Sequence, residues 1–179
     1  MFRALVTALA LAFAAPAVAQ TTLPPDPANT VVLETTKGRV VIRLHDDVAP
    51  KHAERIKLLA REGYYDGVPF HRVIEGFMAQ TGDGQYGNGT GGSKYPDLRQ
   101  EFSKVPFTRG VVGMARASSP NSANSQFFIM FADKPHLNNQ YTVVGYVAEG
   151  MDVVDQIKRG EPVRDPDKIV KMTVQADSK

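Results

Sequence analysis

The chain has no cysteine at all among its 179 residues. Disulfides, a thiolate zinc site, a cysteine nucleophile and a lipidated mature N-terminus are therefore excluded, and the fold must rest on its core alone. Long apolar runs are equally scarce: one occurs at the very start and none after it. Net charge is small, with 21 Lys and Arg against 19 Asp and Glu, so nothing marks a polyanionic partner such as nucleic acid. No internal repeat is visible, and the 42% apolar and 22% charged content is that of an ordinary globular chain.

The single apolar run has the layout of a secretory signal. Arg3 supplies the positive region, Ala4 to Ala15 the apolar region, and Ala17-Val18-Ala19 a small-x-small cleavage site. The run is shorter than the roughly 20 residues of a membrane span, and Pro16 interrupts it. Residues 1–19 are thus expected to be removed, leaving a chain that starts at Gln20 and is released into the periplasm without stable membrane insertion. Lys and Arg then number 20 against 19 acids, a formal charge of +1.

Residues 20–29 carry Pro24, Pro25 and Pro27 and read as an extended leader. One domain is expected over 30–176, with a tail at 177–179. Val31 to Thr35 and Arg39 to Leu44 have strand character and flank Thr36-Lys37-Gly38, which predicts a hairpin. Pro50 opens a helix whose Ala53, Ile56, Leu59 and Ala60 share one face, with Asp46 and Asp47 upstream to suit its dipole and Gly63 to stop it. Further strand segments are predicted at 69–74, 77–81, 111–115, 126–131, 141–147 and 169–174, with a second helix over 151–158. Many short strands and only two helices point to an antiparallel barrel or sandwich with helical plugs.

Several motifs fail on context. Gly82-x-Gly84-x-x-Gly87 has the spacing of a dinucleotide fingerprint, but the chain runs into more glycines and Pro96 instead of opening a helix. His45, His52, His71 and His136 show no metal-ligand spacing, so neither metal nor cofactor is expected. Ser118, Ser119, Ser122 and Ser125 lack a nucleophile elbow. Asn88-Gly89-Thr90 matches a glycosylation acceptor, which by itself decides nothing.

The informative stretches are Phe70-His71-Arg72-Val73-Ile74-Glu75-Gly76-Phe77-Met78-Ala79-Gln80-Thr81-Gly82-Asp83 and Ser125-Gln126-Phe127-Phe128-Ile129. Two strands joined at Glu75-Gly76 can set an Arg and a Gln beside apolar Phe and Met side chains. By periodicity alone, Phe77, Met78 and Phe128 read first as plain core and Arg72 as a surface cation.

Residues 70–83 resemble the FHR-x-I-x-GFM-x-Q-x-GD signature of cyclophilins. Met114-Ala115 followed by Ser125 to Ile129 is similar to a second segment of that family, and the likeness runs from about Thr30 to Val174. The Met114 to Gln126 distance and the Ala115-Arg116 pair resemble the bacterial secreted branch. The resemblance implies a mainly β fold, a closed eight-stranded antiparallel barrel capped by two α-helices, with a substrate groove outside.

It further implies a peptidyl-prolyl cis/trans isomerase acting on proline-containing segments of unfolded or partly folded secreted proteins. Arg72 would be the catalytic cation and Gln80 its orienting partner. Phe77, Met78, Phe128 and Leu137 would form the proline pocket, Ala115, Arg116 and Gln126 would hold the peptide backbone, and His136 and Tyr141 would also bind substrate. His136 stands where many members have Trp, Tyr141 where they have His, and Arg116 where they have Asn. Weak cyclosporin binding is expected from the first of these, because imidazole is smaller than indole and costly to bury against an apolar ring. A monomer is expected. The alternative from another class is a chaperone or assembly module that grips proline segments, with isomerisation incidental.

Overall fold

The computed structural model describes residues 26–178. The expected signal peptide, positions 20–25 of the leader and Lys179 lie outside the described residues. The end of the leader is not extended, because Pro27–Asn29 forms a 3-10 turn. Asp26 bonds Asn29 and pairs with Arg43 at 3.2 Å, which ties this turn to the domain.

The predicted hairpin is present as β1 (Thr30–Thr35) and β2 (Gly38–Leu44), closed by the Thr35↔Gly38 pair. Thr35 Oγ1 locks the turn by donating to Gly38 O at 2.7 Å and accepting from Lys37 N at 3.1 Å. Gly38 sits at φ +137°, a conformation that side chains disfavour.

Helix α1 (Pro50–Arg61) buries Ala53, Ile56, Leu59 and Ala60, the face its periodicity predicts. Its N-terminus has no side-chain cap from the residues just upstream. Neither Asp46 nor Asp47 caps it, and Ala49 has no side chain able to do so. Glu101 arrives from a distant loop instead, accepting from Lys51 N at 3.2 Å and His52 N at 3.1 Å. A carboxylate there satisfies free N–H groups and the positive end of the dipole. Glu101 Oε2 also lies 2.6 Å from Nδ1 of the buried His52, which in a neutral ring requires the Nδ1–H tautomer.

Six more strands follow: β3 (Arg72–Ile74), β4 (Met78–Thr81), β5 (Val111–Met114), β6 (Phe127–Met130), β7 (Val143–Glu149) and β8 (Ile169–Val174). Helix α2 (Met151–Asp155) is shorter than the predicted 151–158. All strand neighbours are antiparallel, in the order β3-β4-β6-β5-β7-β2-β1-β8.

This sheet is a curled half-barrel, which corrects the expected closed barrel. Among the described residues no ladder joins the end strands β3 and β8. The two segments meet just before these strands, around the isolated Pro69–Lys168 bridge, where Phe70 N donates to Asp167 O at 2.9 Å, Ile169 N to Val68 O at 2.9 Å and Gly67 N to Ile169 O at 2.7 Å. Beyond that bridge no ladder forms, because the outer edge of β3 is already occupied. There Val73 and Gly160 exchange hydrogen bonds at 2.8 Å, and Val163 N donates to His71 O at 3.0 Å.

Strand β6 is buried along its whole length. Phe127 and Ile129 enter the main core with Leu33, Ile42, Ile56 and Met172, whereas Phe128 and Met130 join a second apolar cluster on the opposite face. That second cluster includes Met78, Phe107, Leu137 and Val143, and it carries the site described below.

His52 provides a pH test of this packing. Burial is the largest influence on its pKa and lowers it, outweighing Glu101, which acts to raise it. Burial likewise lowers the pKa of His71. A histidine whose folded pKa lies below its unfolded value binds fewer protons when folded. Its contribution is complete above the unfolded value near 6.5 and is lost as the pH falls below it. Urea midpoints should therefore be level above about pH 6.5 and decline below it, with His52→Gln flattening part of that decline; equal slopes for the two proteins would remove His52 as a cause.

Candidate active site

The β3–β4 hairpin places Arg72 directly opposite Gln80, so their side chains leave the same face. Beyond the Glu75-Gly76 turn, Phe77 and Met78 reach that side, and β6 adds Phe128 through its pairing with Gln80. Arg72, Gln80, Phe77, Met78, Phe128 and Leu137 surround a hollow of about 110 Å³, whose lining Ala115, Arg116 and Tyr141 complete. Met78, Phe128 and Leu137 are buried, so the apolar wall is fixed by packing.

Phe128 is held on two sides. It stacks on Phe107 with centroids 5.8 Å apart and meets Tyr141 edge-on at 5.6 Å. Gly113 makes this possible, because a Cβ there would lie 2.5 Å from Phe128 Cζ and 2.7 Å from Phe107 Cε1. Sequence reasoning missed Phe107; its only signal is an aromatic residue after Val105-Pro106 in a segment without periodicity.

The polar side of the hollow is a relay. Arg72 Nη1 donates to Gln80 Oε1 at 3.5 Å, Gln80 Nε2 donates to Gln126 Oε1 at 3.0 Å, and Gln126 Nε2 donates to Gly89 O at 3.0 Å and Gly91 O at 2.8 Å. Each amide is thereby oriented by the next, and the Gln126 amide is committed to Gln80 and the glycine loop.

That loop is organised by Asp83, a second residue that sequence reasoning left without a role. Its carboxylate accepts from the backbone N–H groups of Gln85, Tyr86, Asn88, Gly89 and Gly91 at 2.8–3.1 Å. Burial by itself raises the Asp83 pKa, but the N–H donors of Tyr86, Gly91, Gly89 and Asn88 outweigh it and hold the carboxyl at about 2. An acid set within a run of glycines is the signal that could have found it.

A second hollow of about 300 Å³ adjoins the first through Gln80, Ala115 and Arg116. Its remaining walls are polar and include Thr90, Asp97, Ser122 and Asn124. Arg116 divides the two. Its guanidinium bonds the carbonyls of Gln140, Ala117 and Ser118 and lies 4.6 Å over the Tyr141 ring. Ala115 N donates to Gln126 O at 2.9 Å. Of the residues expected at the site, His136 stands apart: it is exposed in the 3-10 turn Pro135–Leu137 and does not join the lining, whereas Leu137 beside it does.

The half-barrel thus carries on its outer face a hollow with an apolar wall and two cations, Arg72 and Arg116, adjoined by a polar trough. Comparison with known proteins defines the class. Residues 30–174 match the model for the cyclophilin type peptidyl-prolyl cis-trans isomerase/CLD family. A probable peptidyl-prolyl cis-trans isomerase of Brucella suis biovar 1 is 59% identical over 175 residues, covering 89% of each chain. A peptidyl-prolyl cis-trans isomerase of Helicobacter pylori is 41% identical over 133 residues, covering 72% of this chain and 80% of that one.

Among solved structures, the cyclophilin AquaCyp293 of Hirschia baltica superposes with a TM-score of 0.80 at 32% identity, covering 86% of this chain and 76% of that one. A Cryptosporidium parvum cyclophilin type isomerase, crystallised in the presence of the dipeptide Ala-Pro, gives 0.75 at 28% identity, covering 81% of this chain and 98% of its own. The chain belongs to the cyclophilin-type peptidyl-prolyl cis-trans isomerase family. It is an enzyme of that activity.

Asp83→Asn should destabilise the fold by about 2–3 kcal/mol, since one charged acceptor serves several donors and an amide offers only one oxygen. Denaturant titration at neutral pH reads this loss. The gap between wild type and variant should shrink as the pH falls from about 4 toward 2, because a depressed carboxyl contributes stability only above its folded pKa. Equal stability at pH 7 would show that the loop does not depend on Asp83.

Proposed function

We propose that the chain accelerates rotation about X-Pro bonds in secreted proteins within the periplasm, with Arg72 as the catalytic residue and no covalent intermediate. The observation that carries this reading is the placement of Arg72 and Gln80, paired across β3–β4, on the wall of a hollow whose apolar side is Phe77, Met78, Phe128 and Leu137.

An X-Pro bond rotates over a barrier of ~18–20 kcal/mol because amide resonance must be broken. In the twisted state the proline nitrogen regains a lone pair. An Arg72 N–H aimed at that nitrogen gains strength only as the barrier is climbed, which is differential binding of the transition state.

Magnitudes require more than this bond. A rate gain of about 10⁴–10⁵ corresponds to ~5.5–7 kcal/mol. One charge-assisted hydrogen bond contributes roughly 1.5–3 kcal/mol. The planar amide is more polar than the twisted one, so the wall of Phe77, Met78, Phe128 and Leu137 disfavours the ground state and supplies a further part. Positioning of the flanking peptide in the trough beyond Ala115 and Arg116 supplies the remainder. The Ala-Pro dipeptide present with the Cryptosporidium relative is consistent with a proline ring as the occupant of such a hollow.

Arg72→Ala should lower kcat/KM for a Pro peptide on the order of 10²-fold while changing peptide affinity little, because the lost bond belongs to the transition state. Arg72→Lys should also be impaired, since an ammonium lacks the planar fork. A protease-coupled turnover assay measures both; wild-type rates would reassign Arg72 as a surface cation.

The periplasmic assignment rests on the leader and is tested separately. Intact mass of the periplasmic fraction should correspond to a chain beginning at Gln20, and recovery of the full-length chain in washed membranes would refute it.

A further inference from the structure

The orienting partner expected for Arg72 is Gln80, yet the two are 3.5 Å apart, a long bond for a role that demands precision. A much closer partner stands on the other side. Arg72 Nε donates to Glu161 Oε1 at 2.5 Å.

Glu161 is not a loose surface side chain meeting a loose arginine. Its segment runs along the outer edge of β3 and is bonded to both neighbours of Arg72. On one side Val73 and Gly160 exchange backbone hydrogen bonds at 2.8 Å, and on the other Val163 N donates to His71 O at 3.0 Å. Val163 is buried beneath. Just before it, Arg159 bonds Glu75 at 2.7 Å and stacks over Phe131 at 4.2 Å, so the approach to the segment is anchored as well. Arg72 is thereby bracketed along the backbone, and the one carboxylate of the bracket meets its Nε.

We propose that Glu161 is a positioning residue for catalysis, fixing the plane of the Arg72 guanidinium so that its remaining N–H groups face the proline hollow. This rests on the reading of Arg72 as the catalytic cation. A guanidinium is planar, and one contact leaves it free to swivel. Contacts at Nε and at Nη1, on opposite sides of the group, define its plane. Glu161 itself does not line the hollow, so it acts through Arg72 and not on the peptide.

The energetic consequence separates this role from a structural one. Arg72 and Glu161 side chains are 39% and 55% exposed, and ion pairs of that kind contribute little to stability. Loss of Glu161 should therefore leave the melting temperature unchanged and appear in turnover alone.

The experiment is a double-mutant cycle on the mature chain, with kcat and KM resolved for one Pro peptide. Glu161→Ala should lower kcat about 5- to 20-fold with KM little changed, the size expected for a misaligned reacting group. Glu161→Gln, which keeps an acceptor oxygen without the charge, should recover part of the loss. In an Arg72→Ala background, Glu161→Ala should cost nothing further. In ¹⁵N spectra the Arg72 Nε–H should exchange slowly with water in wild type and rapidly in Glu161→Ala.

Unchanged or raised kcat in Glu161→Ala, with Arg72→Ala impaired, would overturn the positioning role and leave the Arg72 assignment standing. So would an equal loss in the Arg72→Ala background. Wild-type turnover by Arg72→Ala would overturn both.

Discussion

Burial of β6 on both faces is the constraint from which the rest of the molecule follows. Phe127 and Ile129 point into the main core, while Phe128 and Met130 point into the outer cluster. A strand with period two can serve both only if something covers each side. Inside, the curled sheet and α1 do so. Outside, Phe107, Leu137 and Tyr141 arrive from segments between the strands; Phe107 backs Phe128, while Leu137 and Tyr141 leave a hollow between themselves and Met78. The site is thus an incompletely filled second core whose buried walls, Met78, Phe128 and Leu137, are held by packing.

Packing on the apolar side is matched by a hydrogen-bonded chain on the polar side. It runs from Arg72 through Gln80 and Gln126 to the glycine loop, and the loop is held by Asp83. A loop of glycines would carry a large entropic cost of ordering if nothing else restrained it. One carboxylate that accepts from five backbone donors offsets that cost and explains how so flexible a composition supports a fixed amide array. The irregular segments are tied in the same manner at long range, since Glu101 caps α1 and its own N–H is bonded by Thr142, next to Tyr141 of the site.

Most of the regular elements were legible beforehand, because each depends on local pattern. The hairpin at Thr36-Lys37, the apolar face of α1 and the whole of β8 follow from periodicity and turn chemistry. Strand starts predicted from pattern come one to three residues too early near Pro69, Gln126 and Tyr141; Pro69 forms only an isolated bridge and Tyr141 lies in a bend. The Arg72–Gln80 pairing was legible in a different way, through a turn at Glu75-Gly76 that sets the register of two short strands.

Local pattern therefore suffices for the individual elements, for the family likeness carried by residues 70–83 and 125–129, and for the exclusion of cysteine chemistry. Tertiary structure alone decided the contacts that span many residues: Glu101 on α1, Phe107 behind Phe128, Asp83 as the organiser of its loop, and Glu161 on Arg72. It also decided that the sheet stays open, because the 160–163 segment takes the edge of β3 that closure would need. The physical reason is common to all of these. Periodicity reports which face of an element is buried, whereas the partner that buries it, or the donor that meets its charge, is chosen by how distant segments pack.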